Sequence, residues 1–373
     1  MQVDVGQLPK ELDLLGCIQC GKCTGGCPVS IKTALNVRFL VYEAQMDALP
    51  DPAQMEELWD CTCCFTCVER CPKDVRPAEL IIGLRSMLVE SGKIPGTVGD
   101  ALMGIFRQGN PLGFAREDRA AWAAGLDIKA AQEGCQTLWF VGCTPAYDVR
   151  GQPVARALAR VFQTAGLDFG TLGVEESCCG NEVRRVGEMG LFEMLVEEGK
   201  PLLEATGAEQ LVTTSPHCFN TLKHEYGLEG LEVLHYTQVL ARLLEEGALT
   251  LSGRVEKTVT YHDPCFLGKQ NDIFDEPRAV LQAIPGLNFV EMDRTRERSL
   301  CCEGGGGRMW VEGTNLEERT AFQRVQEAAE TGAEVLAVAC PFCLAMLEDA
   351  AKVQGLGEQL QVLDIAELLA QAL

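Results

Sequence analysis

The stretches CIQCGKCTGGCP (residues 17–28) and CTCCFTCVERCP (residues 61–72) decide how the N-terminal part of this chain folds. Each has cysteines at the spacing C-x2-C-x2-C-x3-C, and a proline follows the last cysteine of each run. Such runs supply the thiolates of two cubane iron–sulfur clusters, because three ligands come from one tight loop and the fourth cysteine ligates the other cluster. The proline turns the chain away and removes a backbone donor.

The crossed pattern assigns a ligand set to each cubane 4Fe–4S cluster. One set is Cys17, Cys20, Cys23 and Cys71, and the other is Cys61, Cys64, Cys67 and Cys27. A pair of zinc knuckles or disulfides is the alternative. Zinc takes only four ligands and favours paired C-x2-C units, whereas each run here is a triplet with an outlying fourth cysteine. The sequence therefore favours iron–sulfur ligation.

Composition argues against several classes of protein. The 373 residues include 19 cysteines and 47% apolar residues, and the net charge is −22. Nucleic-acid binding needs basic surface, so we expect no nucleic-acid partner. No stretch approaches the roughly eighteen apolar residues of a membrane span, and MQVDVGQLPKELDLL at the N-terminus lacks the apolar core of a signal peptide. We expect a cytoplasmic protein whose reduced thiols serve ligation, with any membrane contact made through a partner.

Helices are predicted on both sides of the second cysteine run. Residues 33–48 have apolar residues at helical spacing, and residues 78–91 continue a helix that has Pro77 at its first position and Gly92 after its end. We expect residues 1–95 to form an α-helical ferredoxin domain. Residues 96–134 are predicted to be an ordered linker with some helix, and the sequence assigns no chemistry to them.

Residues 135–373 contain two copies of one pattern. The paired segments are QTLWFVGC with KTVTYHDPC, EESCCGNE with RSLCCEGG, and LVTTSPHC with VLAVACPFC. The order is the same in both copies, and the offset is about 120 residues throughout. Two homologous domains, residues 135–250 and 251–373, are the natural interpretation.

Strands and helices alternate within each copy. The runs LWFV, LVTT, TVTY and EVLAVA predict buried strands, and helical patterns cover residues 151–165, 201–207 and 316–332. Such alternation indicates a parallel α/β sheet. The cysteine groups then fall at the carboxyl ends of strands, where open α/β sheets bind their ligands. Each domain is therefore expected to gather its distant cysteines into one site.

The two copies differ by one thiol. The second copy offers Cys265, Cys301, Cys302, Cys340 and Cys343, which exceeds the four ligands of zinc or a cubane. The first copy offers Cys143, Cys178, Cys179 and Cys218. Ser215 stands where the repeat predicts the counterpart of Cys340, and a serine hydroxyl is a poor ligand for a soft metal. A cubane, a zinc ion and an altered noncubane cluster all stay open for the first site.

The pattern C…CC…C-x2-C resembles the motif of the CCG domain, which occurs twice in the heterodisulfide reductase family. A helical ferredoxin region followed by two such domains is similar to the D-type iron–sulfur proteins of heterodisulfide reductase and to the iron–sulfur subunits of glycolate oxidase. The segments HDPCFLGK, GNPLGFAREDRAAW and SPHCFNTLKHEY also resemble family segments. The fold class this implies is an α-helical ferredoxin domain followed by two repeated α/β CCG domains, of which the first is degenerate and the second complete.

The resemblance also implies a cofactor and a catalytic site. A complete CCG motif holds a noncubane 4Fe–4S cluster through all five cysteines, which here are Cys265, Cys301, Cys302, Cys340 and Cys343. In heterodisulfide reductases such a cluster cleaves the substrate disulfide by direct contact with its sulfurs. The second domain is therefore expected to be the catalytic one.

Four residues beside the motifs are candidates for cofactor or substrate contacts. Gly304 and Gly305 are expected to let the backbone pass close to the cluster and to point N–H groups at its sulfurs, with an anion-binding nest as the alternative. Lys269 and Arg308 are candidates to meet a substrate carboxylate, although solvation is the commoner role of such charges.

Other polar residues and thiols are expected to have structural roles. His217 could replace the missing ligand of the first site, but we favour a hydrogen bond beside the metal. A structural role is also favoured for His262. His235 and Asp364 occupy matching repeat positions before helices, where Asp364 and Glu367 resemble a capping box. Cys63 and Cys135 fall outside every motif and are expected to be free buried thiols.

The sequence thus predicts an electron-transfer oxidoreductase subunit, in which electrons enter through the cubanes and pass to the CCG sites. No flavin or nicotinamide fingerprint is visible, so a flavoprotein or another redox subunit is the expected partner. A disulfide reductase with a thiol or disulfide substrate is one interpretation. A pure relay between a flavoprotein dehydrogenase and a quinone-linked or other acceptor is the second, and a non-redox zinc scaffold is the third.

Overall fold

The computed structural model describes residues 12–373. Residues 1–11, which form most of the stretch in which no signal peptide is predicted, lie outside the described residues. The N-terminal region is helical, as predicted. Its helices are α1 (Lys22–Gly26), α2 (Val37–Gln45), α3 (Thr66–Glu69) and α4 (Pro77–Glu90).

The capping residues explain where α2 and α4 begin. The sequence predicts a start at residue 33 for α2, but the helix begins at Val37. The Asn36 side chain accepts a hydrogen bond from the Phe39 amide at 3.1 Å and so caps the helix at that point. Helix α4 begins at Pro77, as predicted, and Gly92 follows its end with a left-handed φ of 69°.

Residues 96–134 add a helix and a strand to the fold. Helix α5 spans Gly96–Gln108, a 3-10 helix spans Arg116–Ala123, and strand β1 is Lys129–Ala130. Strand β1 runs parallel to the edge of the following sheet, with Lys129 opposite Gly170. The stretch expected to be a linker therefore contributes an edge strand to the first α/β domain.

The first α/β domain is built on a five-stranded parallel sheet of order β1-β3-β2-β4-β5, where the strands after β1 are β2 (Thr137–Phe140), β3 (Phe169–Thr171), β4 (Gln210–Thr213) and β5 (Glu232–His235). Its helices are α6 (Cys143–Tyr147), α7 (Gln152–Thr164), α8 (Asn181–Arg185), α9 (Met189–Glu204), α10 (Pro216–His224) and α11 (Tyr236–Glu245). The bounds predicted for a helix over residues 201–207 are wrong. It is the last turn of α9, because the buried face formed by Phe192, Leu195 and Leu203 continues across Pro201.

The second α/β domain repeats this architecture. Its strands are β6 (Thr258–Tyr261), β7 (Asn288–Phe289), β8 (Val335–Val338) and β9 (Gln361–Asp364), ordered β7-β6-β8-β9 and all parallel. Its helices are α12 (Asp275–Ala283), α13 (Thr320–Glu330), α14 (Pro341–Val353) and α15 (Ile365–Ala370). The order matches β3-β2-β4-β5 of the first sheet strand for strand, which confirms the internal repeat and the parallel α/β class.

The two α/β domains pack together so that the helix before β3 or β7 in one domain contacts the last helix of the other. Helix α7 packs against α15 and α11 packs against α12, where α7 corresponds to α12 and α11 to α15 in the repeat. A single apolar core contains residues of both sheets, for example Trp139 and Val259. The carboxyl ends of the sheets meet, since the Tyr236 hydroxyl donates to Asp364 Oδ1 at 2.7 Å. Within residues 12–373, every helix is too short or too polar to cross a bilayer.

Candidate iron–sulfur centres

Four cysteines from both N-terminal runs surround one cavity. They are Cys17, Cys20, Cys23 and Cys71, the set predicted for the first cubane. Gly21 adopts a left-handed φ of 79° inside this loop, which lets the chain turn back between two of the thiols. Lys22, Arg38 and Lys73 line the same cavity and place positive charge around the sulfurs. Cys20 is exposed, so this site reaches the surface.

The second cysteine run forms a more deeply buried loop. Cys64 and Cys67 are buried, and Cys63 and Phe65 adopt left-handed φ values of 48° and 60° that curl the chain between the thiols. Burial raises the pKa of Cys67 well above its usual value, and the neighbouring Cys64 and Cys27 raise it further. The structure therefore brings Cys27 of the first run to the second triplet.

The second cysteine loop touches the C-terminal cysteine set directly. The Cys64 thiol lies within hydrogen-bonding reach of Cys301, and the two pack with Cys265 and Phe266 in one small apolar cluster. The hydrogen bond with Cys301, and then burial, raise the pKa of Cys64 well above its usual value. Cys301 Sγ also lies 3.4 Å from Thr62 Oγ1, to which it donates. Cysteines from remote parts of the sequence therefore share one junction.

The five cysteines of the second α/β domain form a continuous series of thiol contacts. The contacts run from Cys265 to Cys301, Cys302, Cys343 and Cys340 in that order. The sulfurs of Cys302 and Cys343 are 3.3 Å apart. All five residues are buried, with at most 8% of any one exposed. The fold thus gathers all five predicted ligands at the carboxyl edge of the second sheet.

Hydrogen bonding makes the thiols of this five-cysteine site unequal. Hydrogen bonds from Cys301 and Cys343 lower the pKa of Cys302 well below its usual value. Burial opposes ionisation of Cys340, but hydrogen bonds from Cys343 and His217 outweigh it and lower its pKa as well. The thiolate is the form that ligates metal. The surroundings of Cys302 and Cys340 therefore favour the thiolate form.

His262 belongs to the five-cysteine site, although the sequence favours only a structural role for it. A ring nitrogen and the sulfurs of Cys302 and Cys343 all lie within 4.8 Å of one another. Arg324 Nε donates to His262 Nδ1 at 3.1 Å, which leaves Nε2 to carry the ring proton. Burial, and then the Arg324 charge, hold the pKa of His262 well below its usual value. The signal in the sequence is its position three residues before Cys265.

The four cysteines of the first α/β domain line a pocket. Cys143, Cys178, Cys179 and Cys218 contact one another in that order. Cys143 and Cys178 are only partly buried. The apolar side chains of Pro111, Trp310 and Phe342 complete the walls. Unlike the five-cysteine site, this four-cysteine site therefore has partly exposed thiols that line a pocket.

Ser215 lines the same pocket, at the position that Cys340 has in the other domain. Its Oγ accepts a hydrogen bond from the His217 amide at 3.3 Å and so caps helix α10. Cys340 occupies the equivalent N-terminal position of α14 but makes no such side-chain cap. The first domain therefore has a helix cap on the pocket wall where the second domain has a predicted ligand.

Arg119 is a residue of the four-cysteine site that sequence reasoning missed. Its buried guanidinium nitrogens lie 3.7 and 3.8 Å from Cys143 Sγ, and Nη2 donates to Glu176 Oε1 at 2.6 Å. Glu176 also accepts hydrogen bonds from the amides of Val141 and Gly142, at 2.8 and 2.9 Å. Burial works to lower the pKa of Arg119, but Cys143 and Glu176 outweigh it and raise that pKa. The segment GNPLGFAREDRAAW, which contains Arg119, was the available signal.

His217 lies between the two α/β sites. Its ring lines the pocket of the four-cysteine site and hydrogen-bonds Cys340 of the five-cysteine site. Its Nδ1 pairs with Glu182 Oε1 at 2.9 Å and lies 3.1 Å from Asn181 Oδ1. Burial opposes protonation, but Cys340 and Glu182 outweigh it and raise the pKa of His217 to about 10. The predicted hydrogen-bonding role agrees with this geometry.

The glycines after Cys302 serve both the sulfurs and close packing. The Gly304 amide donates to the Cys302 sulfur, in keeping with its predicted role. Gly305 lies instead against the second cysteine loop, where a Cβ would come within 2.9 Å of the Thr62 carbonyl oxygen. The Gly307 amide donates to Glu182 Oε2 at 2.6 Å. A carboxylate of the protein thus takes the place of the anion that the nest alternative requires.

The two basic residues considered for substrate binding have partners inside the protein. Lys269 is buried, and its Nζ donates to Thr66 Oγ1 and to the Ser299 carbonyl oxygen, both at 2.8 Å. Arg308 Nη1 donates to the Val311 carbonyl oxygen at 2.8 Å. Lys269 therefore ties the second cysteine loop to the second α/β domain. This geometry does not support a substrate carboxylate at either residue.

The remaining polar and thiol residues have the structural roles expected for them. His235 and Asp364 each form a capping box, which for Asp364 includes Glu367 as predicted. Cys63 and Cys135 are both buried. Cys63 nevertheless lies beside Cys61, whose hydrogen bond is the largest cause of a lowered pKa at Cys63.

The donor atoms fit iron–sulfur clusters. Each N-terminal site brings together three sulfurs from one loop and a fourth from the other loop. Each α/β domain brings together cysteines that follow separate strands. Thiolates are the usual protein ligands of such clusters. The fold therefore already groups the thiols into sets that could hold such clusters.

Comparison with known families agrees with these sites. Residues 13–75 match the family described as "4Fe-4S dicluster domain", and residues 137–223 and 259–348 match the CCG family, described as "Cysteine-rich domain". The D-type protein of the dihydromethanophenazine-dependent heterodisulfide reductase of Methanosarcina barkeri is 32% identical over 97% of this chain and 94% of its own length. The chain belongs to this heterodisulfide reductase D family of iron–sulfur proteins. The resemblance inferred from the sequence is confirmed.

Other relatives of this heterodisulfide reductase D-like chain are longer. The "Probable iron-sulfur-binding oxidoreductase FadF" of Bacillus subtilis is 34% identical over 97% of this chain, and the "EtfAB:quinone oxidoreductase" of Syntrophomonas wolfei is 32% identical over 97%. The chain spans 60% and 58% of these two relatives. Among solved structures, glutamate racemase RacE1 of Bacillus anthracis aligns with 64% of the chain and 79% of its own, at 15% identity and a TM-score of 0.30, a likeness too low to support any conclusion.

Proposed function

We propose that this chain relays single electrons from its N-terminal cysteine sites to the five-cysteine site of the second α/β domain. The contact of Cys64 with Cys301 and Cys265 carries the proposal, because it puts ligands of neighbouring centres side by side. Iron–sulfur clusters supply one-electron chemistry when bound. The burial of these three residues keeps water out of the junction.

Three ligand sets form the proposed route. The first cubane is held by Cys17, Cys20, Cys23 and Cys71, the second by Cys61, Cys64, Cys67 and Cys27, and a noncubane 4Fe–4S cluster by Cys265, Cys301, Cys302, Cys340 and Cys343. The four thiols of the first α/β domain hold a further centre, for which an iron–sulfur cluster or a zinc ion are the candidates. The convergence of each set supports the assignment.

Cations of the chain lie beside the proposed centres, and two of them, Lys269 and Arg119, are buried. Lys73 lines the first cavity, Lys269 lies at the junction of the second loop with the five-cysteine site, and Arg119 lies beside Cys143. A nearby positive charge stabilises the extra negative charge that an electron brings, and this effect is strong where the surroundings are poorly hydrated. The Gly304 amide makes a similar contribution at the Cys302 sulfur.

The proposed electron donor is a flavoprotein or another redox protein that binds near the first cubane site, where Cys20 is exposed. A quinone-linked acceptor and membrane association through a partner are also proposed. The relative named EtfAB:quinone oxidoreductase supports the flavoprotein and the quinone, and a relative of Chromohalobacter salexigens named "Probable membrane-anchored ferredoxin" supports the membrane contact.

Anaerobic preparation with rapid-freeze EPR spectroscopy tests the relay. We expect roughly twelve iron atoms per chain from the three clusters of the route, with matching acid-labile sulfide, and about four more if the four-cysteine centre is also an iron–sulfur cluster. After mixing with reduced methyl viologen, the cubane signals should appear before that of the five-cysteine centre. Simultaneous appearance of all signals would argue against a relay, and zinc without iron would identify a scaffold.

Disulfide reduction at the four-cysteine pocket is the second candidate. The five-cysteine site is the expected catalytic centre, but it is buried, whereas Cys143 and Cys178 face the pocket. The reaction breaks one S–S bond and consumes two electrons, delivered singly, and two protons to give two thiols. The apolar walls around Trp310 favour an apolar disulfide. Reoxidation of the reduced protein by diethyl disulfide, but not by menadione, would favour this activity over a quinone-linked relay.

A further inference from the structure

Arg85 in helix α4 contacts all three parts of the molecule. Its side chain is fully buried, and its guanidinium donates to four backbone carbonyl oxygens. The acceptors are Leu58 (2.6 and 3.1 Å) and Cys61 (2.7 Å) at the start of the second cysteine loop, Arg185 (3.0 Å) in the first α/β domain and Gly306 (2.9 Å) in the second. One side chain therefore joins the N-terminal region to both α/β domains.

The charge of Arg85 has no carboxylate partner among the described residues. Within residues 12–373, no carboxylate pairs with it, and its guanidinium instead lies 5.0 Å from the centre of the Trp59 ring and 3.7 Å from Cys63 Sγ. A guanidinium stays protonated in proteins, and carbonyl oxygens and an aromatic face solvate it without neutralising it. A buried positive charge therefore lies beside the second cysteine loop.

The segments that Arg85 joins are in close backbone contact. A Cβ on Gly306 would lie 2.7 Å from the Cys61 carbonyl oxygen, and one on Gly187 would lie 2.4 Å from the Ser86 amide nitrogen. Both glycines have positive φ values, 66° and 94°, which side chains with a Cβ rarely adopt. Glycine at these two positions lets the second cysteine loop and helix α4 approach the α/β domains closely enough for Arg85 to reach all of its acceptors.

We propose that Arg85 is a positioning residue that fixes the second cysteine loop against the five-cysteine site, and that its charge favours the reduced form of the second cubane. The proposal rests on the ligand assignment given above. The hydrogen bonds to Cys61 and Gly306 hold both loops at their contact distance. An added electron brings negative charge close to an unneutralised cation in a poorly hydrated setting, which favours reduction.

Two substitutions separate the charge of Arg85 from its geometry. Arg85→Met removes both, whereas Arg85→Lys keeps the charge but cannot satisfy four acceptors in the planar arrangement of a guanidinium. In an EPR-monitored redox titration we expect the midpoint of the second cubane to move to lower potential in Arg85→Met and to move less in Arg85→Lys. Both variants should reduce the five-cysteine centre about tenfold more slowly, since small misplacements have large effects on rate.

Arg150→Met is the matched control. Arg150 also joins two domains, through hydrogen bonds to Glu348, Glu367 and the Val362 carbonyl oxygen, but it contacts no part of the second cysteine loop. We expect this variant to leave the midpoint of the second cubane and the rate of reduction of the five-cysteine centre at wild-type values. If Arg85→Met acted only by weakening the packing between domains, Arg150→Met should change the same midpoint and the same rate.

The outcomes separate this inference from the proposed function. If wild-type preparations lack the second cubane, the ligand assignment itself is wrong. If wild-type protein is loaded but the midpoint and the rate are unchanged in Arg85→Met, the role of Arg85 is overturned. If Arg85→Met does not fold, Arg85→Lys decides the question, because an unchanged rate of reduction in that variant excludes a positioning role.

Discussion

Cys63 and Cys64 are adjacent in the chain but contact different parts of the molecule. Cys64 lies against Cys301 of the five-cysteine site, whereas Cys63 Sγ accepts a hydrogen bond from Arg85 Nη1 at 3.7 Å. Both thiols are buried. The loop therefore places a proposed ligand next to a buried thiol that lies outside every ligand set.

Cys64→Ser should remove the second cubane and interrupt the route to the five-cysteine site. A serine hydroxyl is a poor substitute for a thiolate on a soft metal, so we expect the loss of about four iron atoms per chain. The five-cysteine centre should then stay oxidised when the protein is mixed with reduced methyl viologen. Iron and sulfide analysis with rapid-freeze EPR measures both effects.

Cys63→Ser is the control for that variant. It makes the same chemical change one residue away, so iron content and reduction of the five-cysteine centre should stay at wild-type values. Equal loss of iron in the two variants would mean that burial of a thiol in this loop, rather than ligation by Cys64, holds the centre.

Ser215→Cys should convert the four-cysteine site into a five-cysteine site. Ser215 lines the pocket at the position of Cys340, so the new thiol would complete the set. We expect a new EPR signal that matches the signal of the second domain. Loss of the serine cap of α10 should cost about 1 kcal/mol of stability.

Cys340→Ser provides the reciprocal test in the second domain. It should give that domain the spectroscopic signature of the native four-cysteine site, and Ser215→Ala should change stability without a new signal. If Ser215→Cys leaves the spectrum unchanged, the position of residue 215 does not decide which centre the first domain holds.

Arg119→Met should destabilise the four-cysteine site. The change leaves Glu176 buried with two amide donors but no cation, and removing one partner of a buried ion pair typically costs about 3 kcal/mol or more. We also expect a shift in the spectrum of this site, because the charge beside Cys143 is lost. The melting temperature, followed through visible absorbance, measures the stability.

The double variant Arg119→Met with Glu176→Gln tests whether the ion pair is the cause. Neutralising Glu176 removes the unpaired buried charge, so part of the stability should return while the spectral shift persists. If the double variant is no more stable than Arg119→Met, the loss does not come from the unpaired carboxylate.

The sequence predicts which cysteines the fold brings together, because their spacing reflects the geometry of the fold. Strands β2, β4, β6 and β8 are each followed within a few residues by a cysteine group, and parallel strands bring their carboxyl ends to one edge. The internal repeat then predicts the second sheet from the first, and the exception at Ser215 is visible when the two copies are compared segment by segment.

The contacts between domains could not be read from the sequence. Arg119 and Arg85 are ordinary helix-forming residues in their own segments, and only the packing of remote segments puts them beside Cys143 and Gly306. His217 likewise looks like a neighbour of Cys218, but its ring reaches Cys340 in the other domain. Such roles depend on long-range docking, which no local spacing encodes.

Asp364 should make the stability of the protein depend on pH. Burial raises the pKa of this carboxyl group from 3.8 to about 7. Between these two values the folded state keeps a proton that the unfolded state has lost. The contribution of Asp364 to the free energy of unfolding is therefore fully present below about pH 4, falls as pH rises towards 7 and levels off above it. The slope should be roughly 1.4 kcal/mol per pH unit. Melting curves followed through visible absorbance between pH 5.5 and 8.5 measure its upper part.

Asp364→Asn tests the origin of that slope. The amide oxygen can still accept the hydrogen bonds that Tyr236 Oη and the Ala366 amide give to Oδ1, and the amide has no charge to gain. We therefore expect melting temperatures that fall less between pH 5.5 and 7 than in the wild type, and a more stable protein at pH 8. His235→Gln is the control from the matching repeat position, because the pKa of His235 is lowered to about 3 by burial and affects stability only as pH falls below about 6.5. A slope that survives Asp364→Asn would assign the pH dependence to another group.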